Sequence, residues 1–444
     1  MNKGTVRTCL FLCTVLALLL LLGLLPGETV GEYEIKRVDI VADLRPAQEV
    51  PGAVMPPAVA AAQAARRDTC PAGMTCIEDY SDTTGHGMAP FYDALAARGS
   101  LGRPVRIAYF GDSFIEGDIL TDELRRLLQE RYGGCGVGFV DIASPFIKLR
   151  GNVRHSATGW SEHNVLEKGS LVTARLGLSC RYADGQAGSK VSYTAVGAEG
   201  ATPAFDRATL YLTAAAPLTV DAAAGDAEPV TLTAGGSGEV EALSLEGPMT
   251  RAVFTLGAPA TCYGVALEGR SGVVLDNFSL RGSSGTPLAS VPESHLRQMA
   301  RVRPYDLVVL QFGLNVAAKK QLKYDNYVRS MKTVIRHFRQ AFPETAILVV
   351  SIGDREDRTD GRLCTMPGVK ALVGYQQMMA AEEGVAFWNL YEAMGGEGAI
   401  RRMAEAKPAE AGRDYTHINR RGGKRLAGIL FKTLVHGYSQ SRRP

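Results

Sequence analysis

The spacing of apolar residues changes twice along this chain, and that change limits the folds open to it. Val105–Phe110 is a short run of branched and aromatic residues that reads as a buried strand. The turn Gly111-Asp112-Ser113 follows, and Leu120, Leu124, Leu127 and Leu128 then recur at helical spacing up to Gly133. The same alternation returns late. Strand candidates Asp306–Phe312, Ala346–Ile352 and Val385–Leu390 are interleaved with helical patterns at Tyr324–Phe342, Val369–Glu383 and Arg421–Val435. Strands that alternate with helices predict a doubly wound, parallel α/β sheet, because a crossover helix is what returns the chain to the same end of the sheet. In between, the pattern differs. Lys190–Ala195, Ala208–Thr213, Val230–Thr233 and Arg251–Leu256 are short, rich in Thr, Val and Tyr, and divided by turn residues. An all-β stretch inside an α/β pattern predicts an inserted sandwich or jelly-roll domain.

The chain of 444 residues has 46% hydrophobic and 21% charged residues, a globular composition that excludes disorder, collagen and a polytopic membrane protein. Its 49 basic and 46 acidic residues leave a formal charge of +3, so nothing demands a nucleic-acid partner. The charge is uneven, however: residues 206–250 are mainly acidic and residues 401–444 mainly basic. At the N-terminus, Lys3 and Arg7 precede an apolar run from Cys9 to Leu25, and no obvious small-x-small cleavage site follows. This predicts an uncleaved inner-membrane anchor over 1–29, with a removed signal as the alternative, and an exported, periplasmic or envelope body. Beyond it come a Pro/Ala-rich stalk over 30–75, the first α/β part over 76–150, the insert over 151–280, the second α/β part over 281–438 and a basic tail over 439–444. Six cysteines fall in the exported part. Cys70 and Cys76 are close enough to clip a local loop, and Cys180 and Cys262, which bracket the β-rich region, are expected to pair. The scattered histidines and the lack of Cys-x-x-Cys give no metal site, and no cofactor is implied.

Ser113 lies where a buried strand hands over to a helix, a place where a hydroxyl and unpaired amides can meet at the sheet edge. By itself Gly-Asp-Ser is equally a capped turn. Near the C-terminus, Asp414-Tyr415-Thr416-His417 supplies a base and an orienter at a spacing that suits a turn, and the strand ending in Gly313-Leu314-Asn315 delivers an amide side chain. These blocks, in this order, resemble the SGNH branch of the GDSL esterase/lipase family, here Phe110-Gly111-Asp112-Ser113, Gly313-Leu314-Asn315-Val316 and Asp414 to His417. The third block departs from the family pattern, with Val316 where an acid usually follows the asparagine.

The resemblance implies a flavodoxin-like, three-layer core with Ser113 as nucleophile, His417 as base and Asp414 as its orienter. It further implies an oxyanion hole from the N–H of Ser113, the side chain of Asn315 and the N–H of a glycine in Asn277–Gly285, with Gly282 preferred and Gly285 the alternative. With its β-rich insert the chain looks like exported bacterial carbohydrate or peptidoglycan O-acetylesterases, so an acetylated glycan is the expected substrate. Glu116, Asp118, Asn152, Arg154, His155 and Ser156 suggest a polar entry rather than a lipase mouth. Trp160 and Asp112 are candidate substrate contacts. Tyr182, Tyr193, Tyr211 and Tyr263 either stack on sugars or fill the insert core. Two alternatives stay open: a glycan O-acetyltransferase with the same residues, and a catalytically silent glycan-binding protein.

Overall fold

Six short strands make the sheet that carries the site: β1 Glu78–Asp79, β2 Val105–Gly111, β3 Val273–Ser279, β4 Leu307–Gln311, β5 Ala346–Val350 and β6 Ala386–Trp388. The computed structural model describes residues 70–81, 87–167, 171–197, 203–359 and 361–442, with short stretches between 6 and 34. In space the order is β3-β2-β4-β5-β6-β1. The first five strands are parallel, and β1 closes the edge antiparallel to β6. β2 and β4 are buried along their whole length, as near-continuous apolar runs of a parallel sheet must be. Val105, Ile107 and Tyr109 of β2 enter one apolar cluster, while Ala108 and Phe110 enter the other. Helices Ala89–Ala97, Thr121–Tyr132 and Arg420–Ser441 supply the first cluster, and Glu293–Val302 and Asp325–Ala341 the second. Each fully buried Leu, Val or Phe contributes about 1.5–3 kcal/mol, so the two clusters fix the sheet on both faces.

The β-rich part is one antiparallel sheet of nine strands among the described residues. It is a single sheet because the long strand Arg181–Ala195 changes partners: residues 190–194 pair with Arg251–Leu256, and residues 183–185 pair with Ala260–Glu268. The sheet thereby folds over onto itself around Val191, Leu210, Val220 and Phe254. Among the described residues Val153–Asn164 pairs with Arg181–Ala195 alone and leaves its other edge open.

Several boundaries differ from the expectations. β3, expected in the insert, lies in the central sheet parallel to β2, because its run Val273-Val274-Leu275 is buried on both faces there. Conversely, Gly138–Val140 was expected in the first α/β part but pairs with the insert strand Ala260–Glu268. The helix expected to begin at the Ser113 turn starts only at Thr121, after a short turn Glu116–Asp118. Residues 70–75 are packed rather than stalk-like: the Thr75 carbonyl accepts from Trp388 Nε1 and Thr433 Oγ1. The helix Arg420–Ser441 takes in the start of the expected tail. Cys70 and Cys76 form a disulfide. Cys180 and Cys262 do not, since they are buried in different apolar clusters. Most of the expected anchor and most of the stalk fall outside the described residues, among which no helix is long and apolar enough to cross a membrane.

A buried charge network joins insert to core. Arg303 donates to Asp276 of β3 at 2.8 and 3.0 Å and to Glu268 of the insert at 2.9 Å, while Arg106 of β2 reaches Glu268 at 2.6 Å. All four side chains are fully or almost fully buried. Removing one partner would strand a charge, so these pairs tie the insert and the sheet to each other.

Candidate active site

β2 delivers Ser113 to the carboxyl edge of the sheet. A Cβ on Gly111 would come within 2.8 Å of the Ile115 side chain and 3.0 Å of the Gln311 carbonyl, so the strand can turn this tightly against β4 only with glycine there. Asp112, expected as a substrate contact, is only 1% exposed. Its carboxylate accepts from the N–H of Phe114 at 3.0 Å and of Leu314 at 3.2 Å, tying the Ser113 turn to the loop that carries Asn315. Burial pushes its pKa up to about 6, against those backbone hydrogen bonds and the neighbouring His417.

His417 arrives from the other end of the chain. Asn419 caps the helix Arg420–Ser441 by accepting from the N–H of Arg421 and Gly422, and the loop before it is closed by Gly412 N–H to the His417 carbonyl. Within that loop Asp414 Oδ1 accepts from the N–H of Thr416 and His417, and Asp414 Oδ2 lies 2.6 Å from His417 Nδ1. His417 Nε2 is 3.0 Å from Ser113 Oγ. Burial alone would raise the Asp414 pKa, but the hydrogen bonds from His417 and Thr416 outweigh it, and the carboxyl lies below its ordinary value. A serine, an imidazole and an ionised carboxylate thus form one hydrogen-bonded line.

Donors stand beside it. The Ser113 N–H has no hydrogen-bond partner among the described residues, and neither has that of Gly282. Gly282 follows β3, whose Ser279 is in register with Gly111, and the Leu280 N–H donates to the Gly111 carbonyl at 2.9 Å. Asn315 is exposed, and its Nδ2 donates to the Ser283 carbonyl at 2.9 Å, so its amide is held next to Gly282. The N–H of Gly285, the alternative glycine, is already used by Ser283 Oγ at 3.0 Å. Gly282 is therefore the one of the pair with a donor to offer.

The expected polar entry divides. Glu116, Asp118 and Asn152 are buried and paired, because partners from distant segments close over them. Asp118 accepts from Thr121 and Asn152 and is bridged by Arg150 at 2.8 Å and Arg125 at 3.3 Å. Burial opposes its ionisation, yet the two guanidiniums hold its pKa far below the usual carboxylate range. Glu116 meets Arg281 at 2.6 Å and so links the Ser113 turn to the residue before Gly282. Asn277, on β3, adds bonds to the Ile115 carbonyl and to Thr121. Thr121 and Arg125 lie within seven residues of Asp118, but Asn152, Arg150, Arg281 and Asn277 come from elsewhere in the chain, so no short motif announces the brace. Arg154 and Ser156 remain exposed, whereas the four insert tyrosines are buried and fill cores. Trp160 is partly exposed, its indole N–H bonded to the Lys190 carbonyl at 2.9 Å. No cluster of metal-ligating side chains occurs among the described residues.

No protein-family model matches the chain, and no curated protein matches its sequence. Solved structures do. A peptidoglycan O-acetylesterase superposes with a TM-score of 0.67 at 23% identity, covering 82% of this chain and 99% of its own. A family two carbohydrate esterase from Clostridium thermocellum, in complex with cellohexaose, gives 0.28 at 11% identity over 58% of this chain and 95% of its own. Another from Cellvibrio japonicus gives 0.26 at 11% identity over 65% and 99%. The first likeness shows a shared fold; the other two are too loose to argue from.

Proposed function

We propose that this chain is a serine esterase that removes O-acetyl groups from an envelope or extracellular glycan, in the manner of the SGNH hydrolases. One observation carries the reading: the line from Asp414 through His417 reaches Ser113, whose own N–H is unspent among the described residues and whose turn is tied to the loops that carry Gly282 and Asn315. In the proposed reaction His417 Nε2 takes the Ser113 proton as Oγ bonds to the acetyl carbonyl carbon. The N–H of Ser113, the N–H of Gly282 and the Asn315 amide receive the oxyanion. The tetrahedral intermediate then collapses, the sugar oxygen leaves with the proton from His417, and Ser113 is acetylated. Water, deprotonated by the same imidazole, releases acetate. The fold shared with a peptidoglycan O-acetylesterase supports a glycan as the acetyl carrier. The Cys70–Cys76 disulfide and the apolar N-terminal run support an envelope location.

The test is acetate release by the purified chain from small aryl acetates, with and without an acceptor sugar, together with labelling by a serine-directed phosphonate. Faster turnover of acetates than of long-chain esters, with the label on Ser113, is the expected result. A Ser113→Ala protein that keeps wild-type activity would overturn the reading. Acetyl transfer to the sugar in place of acetate release would replace hydrolysis with transfer on the same residues.

A further inference from the structure

A groove of about 850 Å³ runs along the open edge of the insert strand Val153–Asn164, walled on its other side by residues 143–151. Its charged lining residues are Lys148, Arg150 and Arg154; no Asp or Glu lines it. Arg150 is spent, paired with Asp118 and donating to the carbonyls of Val137 and Phe139. Lys148 and Arg154 are different. Both are exposed, and neither has an ion pair or a side-chain hydrogen bond among the described residues. Two unpaired cations therefore face the groove with no acid in its lining. Trp160 closes the groove's far end with its ring packed on Gly185, where a Cβ would lie 2.6 Å from the indole.

The groove wall is tied to the segment that carries His417. Arg420, three residues after His417, donates to the Leu149 carbonyl at 2.8 Å and so pins the groove wall beside the His417 loop. Arg413, just before Asp414, is a further exposed cation without an ion pair among the described residues. We infer that this groove binds a carboxylate-bearing polysaccharide, the track from Trp160 through Arg154 and Lys148 toward Arg420 and Arg413 drawing a polyanionic chain across the site. Anionic sugars satisfy both halves of the lining: carboxylates meet the cations, and a pyranose face meets the partly exposed indole. The inference rests on the esterase reading only for what happens at Ser113; binding stands apart from it.

The experiment therefore measures binding on a protein that cannot turn over. Full-length Ser113→Ala protein is titrated calorimetrically with polygalacturonate, with neutral dextran and with a DNA oligonucleotide, at low and raised salt. Expected are binding of polygalacturonate that weakens with salt and little or no binding of dextran. Charge reversal, Lys148→Glu with Arg154→Glu, should weaken the affinity about tenfold or more, while Lys148→Arg with Arg154→Lys restores it. No binding of polygalacturonate, or binding that ignores the reversal in a protein of unchanged melting temperature, would overturn the inference. Tighter binding of DNA than of polygalacturonate would overturn it in favour of a nucleic acid. Absence of aryl esterase activity in the wild type would sink the esterase reading and leave this measurement untouched.

Discussion

The two sides of the candidate site are built differently. On the Ser113 side, the turn is held by buried charges: the side chains of Asp118 and Arg125 are 0% and 3% exposed. On the His417 side, Asp414 and His417 sit on a loop with side chains 52% and 42% exposed. Position on the first side is set by tertiary pairing over long sequence separations; on the second it is set by hydrogen bonds within a few residues and a capped helix. It follows that damage to the two sides should read out differently, in stability on one and in turnover on the other.

The largest effect expected is on turnover. Ser113→Ala and His417→Ala should each lower aryl acetate turnover by about 10⁴-fold or more, and the double variant should be no worse than either, because nucleophile and base act as a unit. Both should melt close to the wild type, since neither side chain is buried. Additive losses in kcat would mean that the two groups do not work together.

Next in size is the brace. Asp118→Ala removes the carboxylate from between Arg125 and Arg150 and should cost about 3–5 kcal/mol of stability, measured by urea unfolding. Asp414→Ala, on the exposed side, should cost within about 0.5 kcal/mol while lowering turnover. Equal destabilisation by the two would break the comparison. The same carboxylate predicts a pH response. Its folded pKa is depressed below the unfolded value of 3.8, so the folded state keeps it ionised where the unfolded state takes up a proton. Its contribution is full above that value and is lost progressively as pH falls below it. The acid limb of the unfolding midpoint should flatten in Asp118→Asn and flatten much less in Asp414→Asn, whose carboxyl is also held below its ordinary value but is half exposed to water.

A third effect lies at the oxyanion position. Asn315→Ala should lower kcat by about 10²–10³-fold, the usual loss for one such donor of about 2.7–4 kcal/mol, with KM much less affected. A change confined to KM would assign Asn315 to ground-state binding instead.

The difference between the two sides also explains what could be read from the sequence. The Asp414–His417 turn and the Gly-Asp-Ser turn are local, so their residue types and spacing already contain the geometry, and the structure brings Ser113 and His417 to 3.0 Å. β4, β5 and β6 were legible as apolar runs between helical patterns. The brace was not. Glu116, Asp118 and Asn152 look like a polar rim in one dimension, and it takes Arg281 on Glu116 and the approach of Arg150 and Asn152 to Asp118, from distant segments, to turn them into buried pairs. β3 departs from the expected insert for the same reason: a short buried run has no local mark that tells which of two sheets it joins. The place of Asp112 is hidden in the same way, because its carboxylate accepts from the N–H of Leu314, some two hundred residues away.

The smallest effect expected tests whether the Ser113 side also positions the oxyanion loop. Glu116 belongs to the buried turn after Ser113, and Arg281 precedes Gly282 on the loop after β3, so their ion pair at 2.6 Å is the direct charge link between those segments. Glu116 is nearly buried and has one oxygen, Oε1, without a partner among the described residues, while the Arg281 side chain is 57% exposed. Water screens such a half-exposed pair, and its worth should stay near 1 kcal/mol. If that energy positions the Gly282 N–H, Arg281→Ala should lower kcat about five- to tenfold, leave KM nearly unchanged and move the unfolding midpoint only slightly. Arg281→Lys should recover part of the loss, since an ammonium keeps the charge but not the reach and fork of the guanidinium. A matching fall in stability with unchanged kcat would instead make the pair purely structural, and the Gly282 loop would then owe its position to the Leu280–Gly111 and Asn315–Ser283 hydrogen bonds alone.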